Sequence, residues 1–217
     1  MAEVSAERMT MVDTQIRPSD VTKFTVIDAM LSVPREEFVP DRVRGTAYCD
    51  GQIVLGGGRV MLEPRTLAKM LDALDIQPSE LVLDLGCGLG YSSAVVARLA
   101  EAVIAVEEDT EMAAEAEARL VMAGVDNVAV FPAPLAEGGL RHGPYDVVML
   151  QGGIETLPNA IMSQIKEGGR IAAIFVQEAL GVCRIGLRSG GSVDWRDAFN
   201  AVAPVLRGFA REREFQL

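Results

Sequence analysis

A glycine-rich turn between two apolar runs carries the strongest chemical signal in the sequence. Three glycines with the spacing G-x-G-x-G follow the first run, namely Gly86, Gly88 and Gly90. Glycine reaches backbone angles that other residues avoid, and it lets a ligand lie against the main chain. Asp84 precedes the turn, and Glu107 ends the next run, where a carboxylate can accept both hydroxyls of a ribose. The turn and its two acids therefore predict a site for S-adenosylmethionine, and hence methyl transfer.

The same residues leave alternatives open. A dinucleotide-binding turn has the spacing G-x-G-x-x-G, and Tyr91 stands where its third glycine would be. This spacing disfavours a nicotinamide or flavin without excluding it. Asp84 either orients the amino group of the methionine portion, accepts hydrogen bonds from the turn, or caps the following helix. Glu107 is a ribose ligand or a surface acid, because three more acids follow it within four residues.

Other candidate residues carry weaker signals. Gln151 and Gly152 follow a third apolar run, and ligands of doubly wound sheets bind at the carboxyl ends of strands. Their alternative is an ordinary loop between a strand and a helix. His142 is the only histidine and lies in a polar stretch, so we expect it to be solvated. The cysteines are scattered and show no metal-type spacing, so no metal is expected.

Composition limits the class of protein and its partners. The chain has 217 residues, is 49% hydrophobic and carries a formal charge of −11. Such an acidic surface repels phosphate backbones, so nucleic acid is a poor partner. Residues 1–4 do not resemble a signal peptide, and no apolar run approaches the roughly 20 residues that span a bilayer. Three scattered cysteines favour a reducing compartment, and we expect a cytoplasmic protein without membrane contact.

The chemistry requires a scaffold of alternating strands and helices. Apolar runs predict strands over 81–85, 102–106, 128–131, 145–150 and 170–176. Helical patterns between them cover 91–100, 110–123 and 157–166, with a cap near Asp109. This alternation indicates an α/β fold with a mainly parallel, doubly wound sheet. A turn at 189–191 predicts a C-terminal antiparallel hairpin over 182–188 and 193–206.

The segment before residue 81 is expected to be helical with a glycine-rich loop. Residues 1–19 are polar and are expected to be loosely ordered, and a helix is expected to open near Ser19 or Asp20. A second short helix is expected over 41–48. Pro64 suits the first position of a helix with an apolar stripe. Between them, the segment 50–63 carries the glycine triplet 56–58.

Several more specific motifs follow in a fixed order along the chain. They are Met11-Val12, Gln15-Ile16-Arg17, Ala29-Met30, Val33–Pro40, Tyr48 with Asp50, Gly56–Gly58, Asp146, Pro158 and Lys166–Gly169. Together with the glycine turn, this order resembles the protein-L-isoaspartate O-methyltransferase family from about Met11 to Leu206. The segments Val33–Pro40 and Tyr48–Asp50 are much more specific than the turn.

The resemblance implies a Rossmann-like class I methyltransferase fold over residues 1–217. It implies N-terminal helices and an acceptor loop over 1–80, a cofactor core over 81–180, and a hairpin with a tail over 181–217. The implied reaction methylates the α-carboxylate of isoaspartyl residues in damaged proteins, with S-adenosylmethionine as donor, in a cytosolic monomer or weak homo-oligomer. The implied cofactor residues are Asp84, Gly86, Cys87, Gly88, Gly90, Glu107, Glu108, Ala133 and Gln151. The implied acceptor loop, which would contact the substrate, comprises Gly58, Val60, Met61, Leu62 and Pro64.

Two departures from the family pattern concern the site. The family carries a serine or threonine where this chain has Leu62, and a Gly-Asp pair where it has Phe131–Pro134. A carboxylate acceptor is already an anion at neutral pH, so the hydroxyl would orient it and not deprotonate it. Losing one hydrogen bond to a charged group costs about 1.5–3 kcal/mol, or roughly ten- to a hundred-fold in rate.

Leu62 therefore leaves three readings of the function. Backbone N–H groups of 56–61, or the hydroxyl of Thr66, are candidate replacements that would preserve the repair activity. An apolar Leu62 also fits a different acceptor, such as a small acid. The third reading is a non-catalytic module that keeps the fold and uses the 50–63 loop to contact a partner.

Overall fold

The computed structural model describes residues 5–178 and 180–211. Two short strands, β1 (Ile53–Gly56) and β2 (Arg59–Met61), form an antiparallel hairpin. Seven further strands form the main sheet: β3 Leu81–Leu85, β4 Ala102–Glu107, β5 Val128–Pro132, β6 Tyr145–Ile154, β7 Ile165–Gln177, β8 Leu180–Ser189 and β9 Ser192–Asn200. Their spatial order is β5-β4-β3-β6-β7-β8-β9.

The pairing of the main sheet confirms the predicted fold class. β5, β4, β3, β6 and β7 pair in parallel, and β8 and β9 continue the sheet antiparallel. The predicted end of the last strand is wrong, because β9 was expected to run to residue 206. The strand ends at Asn200 because the following segment pairs with β6 instead. The Gly153 amide donates to the Pro204 carbonyl, and the Leu206 amide donates to the Gly153 carbonyl, each at 2.8 Å.

Six α-helices accompany these strands in the described part of the chain: α1 Ala6–Met11, α2 Phe24–Ser32, α3 Pro64–Leu74, α4 Tyr91–Val96, α5 Thr110–Met122 and α6 Asn159–Ser163. Asp109 caps α5 as predicted, since its carboxylate accepts from the Glu111 and Met112 amides. α4 is shorter than predicted because its last turn tightens: the Arg98 and Leu99 amides donate to carbonyls three residues back, those of Val95 and Val96.

The N-terminal segment is more ordered than its polarity predicts. After α1 the chain continues as a π-helix (Val12–Ile16) and a 3₁₀ turn (Arg17–Ser19), and the apolar Met11, Val12 and Ile16 are buried. The expectation of loose order is therefore wrong for residues 5–19, while residues 1–4 lie outside the described residues. The expected helix start near Asp20 is also wrong. Asp20 has a left-handed φ of 64°, which ends the preceding turn, and α2 begins at Phe24.

Two apolar clusters lie on opposite faces of the main sheet. One joins β3, β4 and β6 to α2, α3 and α4, and the other joins the same strands to α6 and the segment around Phe209. The carboxyl ends of β3, β4 and β6 lie side by side between them. None of the helices described is both long enough and apolar enough to cross a membrane. Within 5–178 and 180–211, no group of three or more His, Cys, Asp and Glu side chains is arranged to hold a metal.

Candidate active site

The glycine turn follows the end of β3 and is anchored to β4. The Gly86 amide donates to the Val106 carbonyl at 2.7 Å, and the Cys87 amide donates to the same oxygen at 3.3 Å. Gly86, Gly88 and Gly90 have φ values of 78°, 59° and 95°. Residues other than glycine rarely adopt this left-handed backbone conformation, so the turn requires glycine at these three positions.

Glu107 lies beside this turn with its side chain fully buried. Its Oε2 accepts from the Gly88 amide at 2.9 Å, and its Oε1 accepts from the Glu108 amide at 3.0 Å and the Asp109 amide at 3.4 Å. These contacts exclude the reading of Glu107 as a surface acid. Glu108 is half-buried and contributes its backbone amide to holding the carboxylate.

Asp84 connects β3 to α4 and to β6. Its Oδ2 accepts from the hydroxyls of Ser92 and Ser93, both at 2.6 Å, and its Oδ1 accepts from Gln151 Nε2 at 2.7 Å. Burial raises the pKa of the Asp84 carboxyl, and these three hydrogen bonds oppose that rise. Asp84 is thus neither a backbone cap of α4 nor a free acceptor. Gln151 and Gly152 both lie within β6, so the alternative of an ordinary loop is wrong for both residues.

Side chains of the β1–β2 hairpin cover the turn. Arg59 Nη2 donates to the Gly86 carbonyl at 2.6 Å and to Glu107 Oε2 at 3.3 Å. A Cβ placed on Gly86 would collide with Arg59 Nη2, and one on Gly88 would lie 2.5 Å from Leu55 Cδ1. The space beside Gly86 and Gly88, where other residues would carry a Cβ, is therefore occupied by the side chains of Arg59 and Leu55. Sequence reasoning missed Arg59, although it is the only cation in the segment 50–63.

The acceptor loop continues from the hairpin and contacts the same turn. Val60, Met61 and Leu62 are buried and, with Gly86 and Cys87, line a cavity of about 10 Å³. This is barely the space that one water requires. Gly58 lies at the exposed tip of the hairpin, and Pro64 begins α3.

The buried Arg35 side chain anchors the main chain of this loop. Sequence reasoning missed this role of Arg35 as well. Its Nη2 donates to the Leu62 carbonyl at 2.7 Å, and its Nε donates to the Ala47 carbonyl at 2.8 Å. The guanidinium lies 4.8 Å from the centre of the Tyr91 ring. Arg35 is fully buried, so these contacts fix the main chain at Leu62. The Leu62 side chain itself offers no polar group.

The remaining candidates have clear positions. The Thr66 hydroxyl, one candidate replacement for the missing hydroxyl, donates to Glu63 Oε2 at 2.8 Å and is therefore engaged near the start of α3. The Ala133 amide donates to the Glu107 carbonyl at 3.1 Å, which places the 131–134 segment beside β4. Burial raises the pKa of the Cys87 thiol well above its usual value. His142 is exposed and stacks on Phe131, with 4.4 Å between the ring centres.

Sequence comparison identifies relatives over most of the chain. The family model described as Protein-L-isoaspartate(D-aspartate) O-methyltransferase matches residues 6–184. The chain is 35% identical over 165 residues to the Protein-L-isoaspartate O-methyltransferase of Koribacter versatilis, covering 76% of this chain and 74% of that protein. It is 34% identical over 184 residues to Protein-L-isoaspartate O-methyltransferase 2 of Pelobacter propionicus, covering 82% of each.

Solved structures share the fold. One protein-L-isoaspartate O-methyltransferase superposes with a TM-score of 0.81 at 21% identity, covering 93% of this chain and 66% of that chain. A second, from Plasmodium falciparum, is described as a putative protein-L-isoaspartate O-methyltransferase in complex with S-adenosyl-L-homocysteine. It superposes with a TM-score of 0.80 at 15% identity, covering 94% of this chain and 99% of that one. With the family match over 6–184, the chain belongs to the protein-L-isoaspartate(D-aspartate) O-methyltransferase family of S-adenosylmethionine-dependent enzymes.

Proposed function

We propose that this protein transfers a methyl group from S-adenosylmethionine to the α-carboxylate of isoaspartyl residues, in the pocket between the glycine turn and the acceptor loop. The observation that carries the proposal is that the glycine turn and Leu62 line one cavity. The buried carboxylate of Glu107 also accepts a hydrogen bond from the Gly88 amide of this turn. A donor held on the turn would therefore face an acceptor held on the loop.

The residues around the turn fit the cofactor by their hydrogen-bonding chemistry. The Glu107 carboxylate and the Gly86 carbonyl already accept hydrogen bonds from one guanidinium, so both oxygens face donors on the hairpin side. Ribose hydroxyls and an α-amino group are donors of the same kind. Glu107 and the backbone of Gly86–Gly90 would hold the cofactor, with Asp84, Gln151 and the Glu108 amide supporting them. When bound, the cofactor would supply an electrophilic methyl group on a sulfonium.

The chain would contribute positioning and exclusion of water. An isoaspartyl α-carboxylate has a pKa near 4 and needs no base at neutral pH. Burial raises the pKa of Cys87 and of Tyr91, so both stay protonated and neither competes as a nucleophile. The buried apolar side chains of Val60, Met61 and Leu62 would keep water out of the pocket.

Leu62 would lower the rate without removing the reaction. Its side chain offers no donor to an acceptor carboxylate, and Thr66 is committed to Glu63. The main chain at Leu62 stays fixed through Arg35, so orientation of the acceptor would depend on backbone groups of the loop. The proposed repair enzyme is therefore a slow one.

The proposal extends to partners and location. Isoaspartyl-containing proteins or peptides would be the substrates, and the formal charge of −11 disfavours nucleic acid. We propose that the whole chain acts as one methyltransferase domain, as a monomer or weak homo-oligomer without membrane contact. Cys49, Cys87 and Cys183 are free thiols, which supports a cytoplasmic location.

A methyl-transfer assay tests the proposal. The protein is incubated with donor labelled in its methyl group and with an isoaspartyl peptide, and an aspartyl peptide of the same sequence serves as control. We expect base-labile methyl esters on the isoaspartyl peptide alone. Absence of ester on both peptides at high enzyme concentration would contradict the proposal, and equal labelling of both would contradict the acceptor class.

A further inference from the structure

We infer that Arg59 is an internal ligand of the cofactor site, whose guanidinium must leave Gly86 and Glu107 before the cofactor binds. This inference rests on the proposed function, because it concerns the affinity of the same pocket. It assigns to Arg59 the role of setting that affinity.

The contacts of Arg59 carry the first step. Nη2 reaches the Gly86 carbonyl at 2.6 Å and Glu107 Oε2 at 3.3 Å, with 6% of the Arg59 side chain exposed. These two oxygens are the acceptors that the proposed function requires for the amino group and the ribose. The Arg59 guanidinium therefore occupies both acceptors, and it competes with the cofactor for them.

The available space carries the second step. Arg59 Nη2 fills the slot over Gly86, and Leu55 fills the slot over Gly88. The cavity that remains between hairpin and turn is about 10 Å³. Because a nucleoside is far larger than one water molecule, it cannot enter beside Arg59. Binding therefore requires the hairpin side chains to move out of the turn.

The attachment of the hairpin shows how such movement is possible. β1 and β2 pair only with each other and do not join the main sheet, among the strands described. Two-stranded hairpins are marginally stable by themselves, so their side-chain anchors decide where they lie. Arg59 Nε is buried and has no hydrogen-bond partner among the described residues. This unsatisfied donor offsets part of what the Nη2 contacts contribute, which lowers the cost of release.

Calorimetry with S-adenosylhomocysteine tests the inference without measuring turnover. Arg59→Gln removes the charge and keeps an amide donor, and Arg59→Ala removes the whole anchor. Arg44→Gln is the matched control, because Arg44 is exposed and lies outside the pocket. Circular dichroism checks the folding of each variant, and Arg59→Gln decides the test should Arg59→Ala not fold.

We expect both Arg59 variants to bind about ten- to a hundred-fold tighter than wild type, since one charge-assisted contact no longer competes. Arg44→Gln should match wild type. Equal or weaker binding by the Arg59 variants would overturn the inference and leave the proposed function standing. Binding by none of the proteins, wild type included, would overturn the proposed function together with the inference.

Hydrogen exchange gives a second readout on ligand-free protein. If Arg59 anchors the hairpin, amides of residues 53–61 in Arg59→Gln should exchange faster than in wild type. Amides of β3 serve as the internal control and should not change. Unchanged exchange over 53–61 would overturn the anchoring role of Arg59.

Discussion

Arg35 donates a hydrogen bond from Nη2 to the Leu62 carbonyl at 2.7 Å, and this contact links the segment after α2 to the acceptor loop. The same guanidinium reaches the Ala47 carbonyl, so one buried side chain holds two separate loops. Burial lowers the pKa of Arg35, and its electrostatic and hydrogen-bonding interactions with the Tyr91 side chain oppose that change. Leu62 is therefore fixed in place by its main chain, although its side chain carries no polar group.

Removing the Arg35 anchor should destabilise the whole protein. Arg35→Met leaves two buried carbonyls without donors, and each such loss costs about 1–3 kcal/mol, so we expect the free energy of unfolding to fall by about 2–6 kcal/mol. Arg35→Lys keeps the charge but reaches fewer acceptors, and it should lose less. Urea unfolding followed by circular dichroism measures both. A value for Arg35→Met within about 0.5 kcal/mol of wild type would contradict this role.

Restoring a hydroxyl at position 62 should raise the reaction rate. Leu62→Ser supplies a donor where the loop faces the turn, and we expect kcat/KM for an isoaspartyl peptide to rise by about tenfold. Leu62→Ala creates a similar cavity without a donor and is the matched control. Both variants lose about 2–5 kcal/mol of stability, so the assay is run at reduced temperature. An equal effect of serine and alanine would show that space, and not hydrogen bonding, limits the reaction.

The buried Asp84 carboxyl should make stability depend on pH. Burial raises its pKa, although hydrogen bonds from Ser92, Ser93 and Gln151 oppose the rise, so the folded state holds the proton at higher pH than the unfolded chain does. Asp84 therefore imposes no penalty below the unfolded pKa of about 3.9. As pH rises from there through the folded pKa, its ionisation costs stability with a slope of at most about 1.4 kcal/mol per pH unit.

Asp84→Asn removes this titration. We expect the variant to gain stability relative to wild type as pH rises through that window, and the difference to become constant above it. Urea unfolding between about pH 4 and pH 8 measures the difference. Asp126→Asn, at an exposed position, is the control variant. A flat difference for Asp84→Asn would show that the carboxyl titrates alike in the folded and unfolded chains.

Much of the fold could be predicted because it depends on local pattern. Apolar runs marked the parallel strands, Asp109 marked the start of α5, and motif order marked the family, so the fold class, the family and the S-adenosylmethionine-dependent activity are confirmed. The helical turns over residues 6–19 were missed because few of their residues are apolar. Met11, Val12 and Ile16 become apolar contacts only when the other elements supply the opposing surface.

The candidate site could be predicted where one segment determines it, or where a strand ends at the ligand-binding edge of the sheet, as for Gln151. The turn and Glu107 lie one βα unit apart, so their spacing carries the signal. Arg59 reaches Glu107 across 48 positions, and Arg35 reaches Leu62 across 27, and no periodicity encodes such contacts. The hydrogen bond from Gln151 to Asp84 spans 67 positions and was likewise visible only in the structure.

The most direct test of the central claim is a crystal structure of the protein with S-adenosylhomocysteine bound. We expect the ribose hydroxyls within hydrogen-bonding distance of the Glu107 carboxylate, the nucleoside against Gly86–Gly90, and the Arg59 guanidinium withdrawn from both. A nucleoside bound elsewhere, or bound here while Glu107 keeps its contact with Arg59, would contradict that claim.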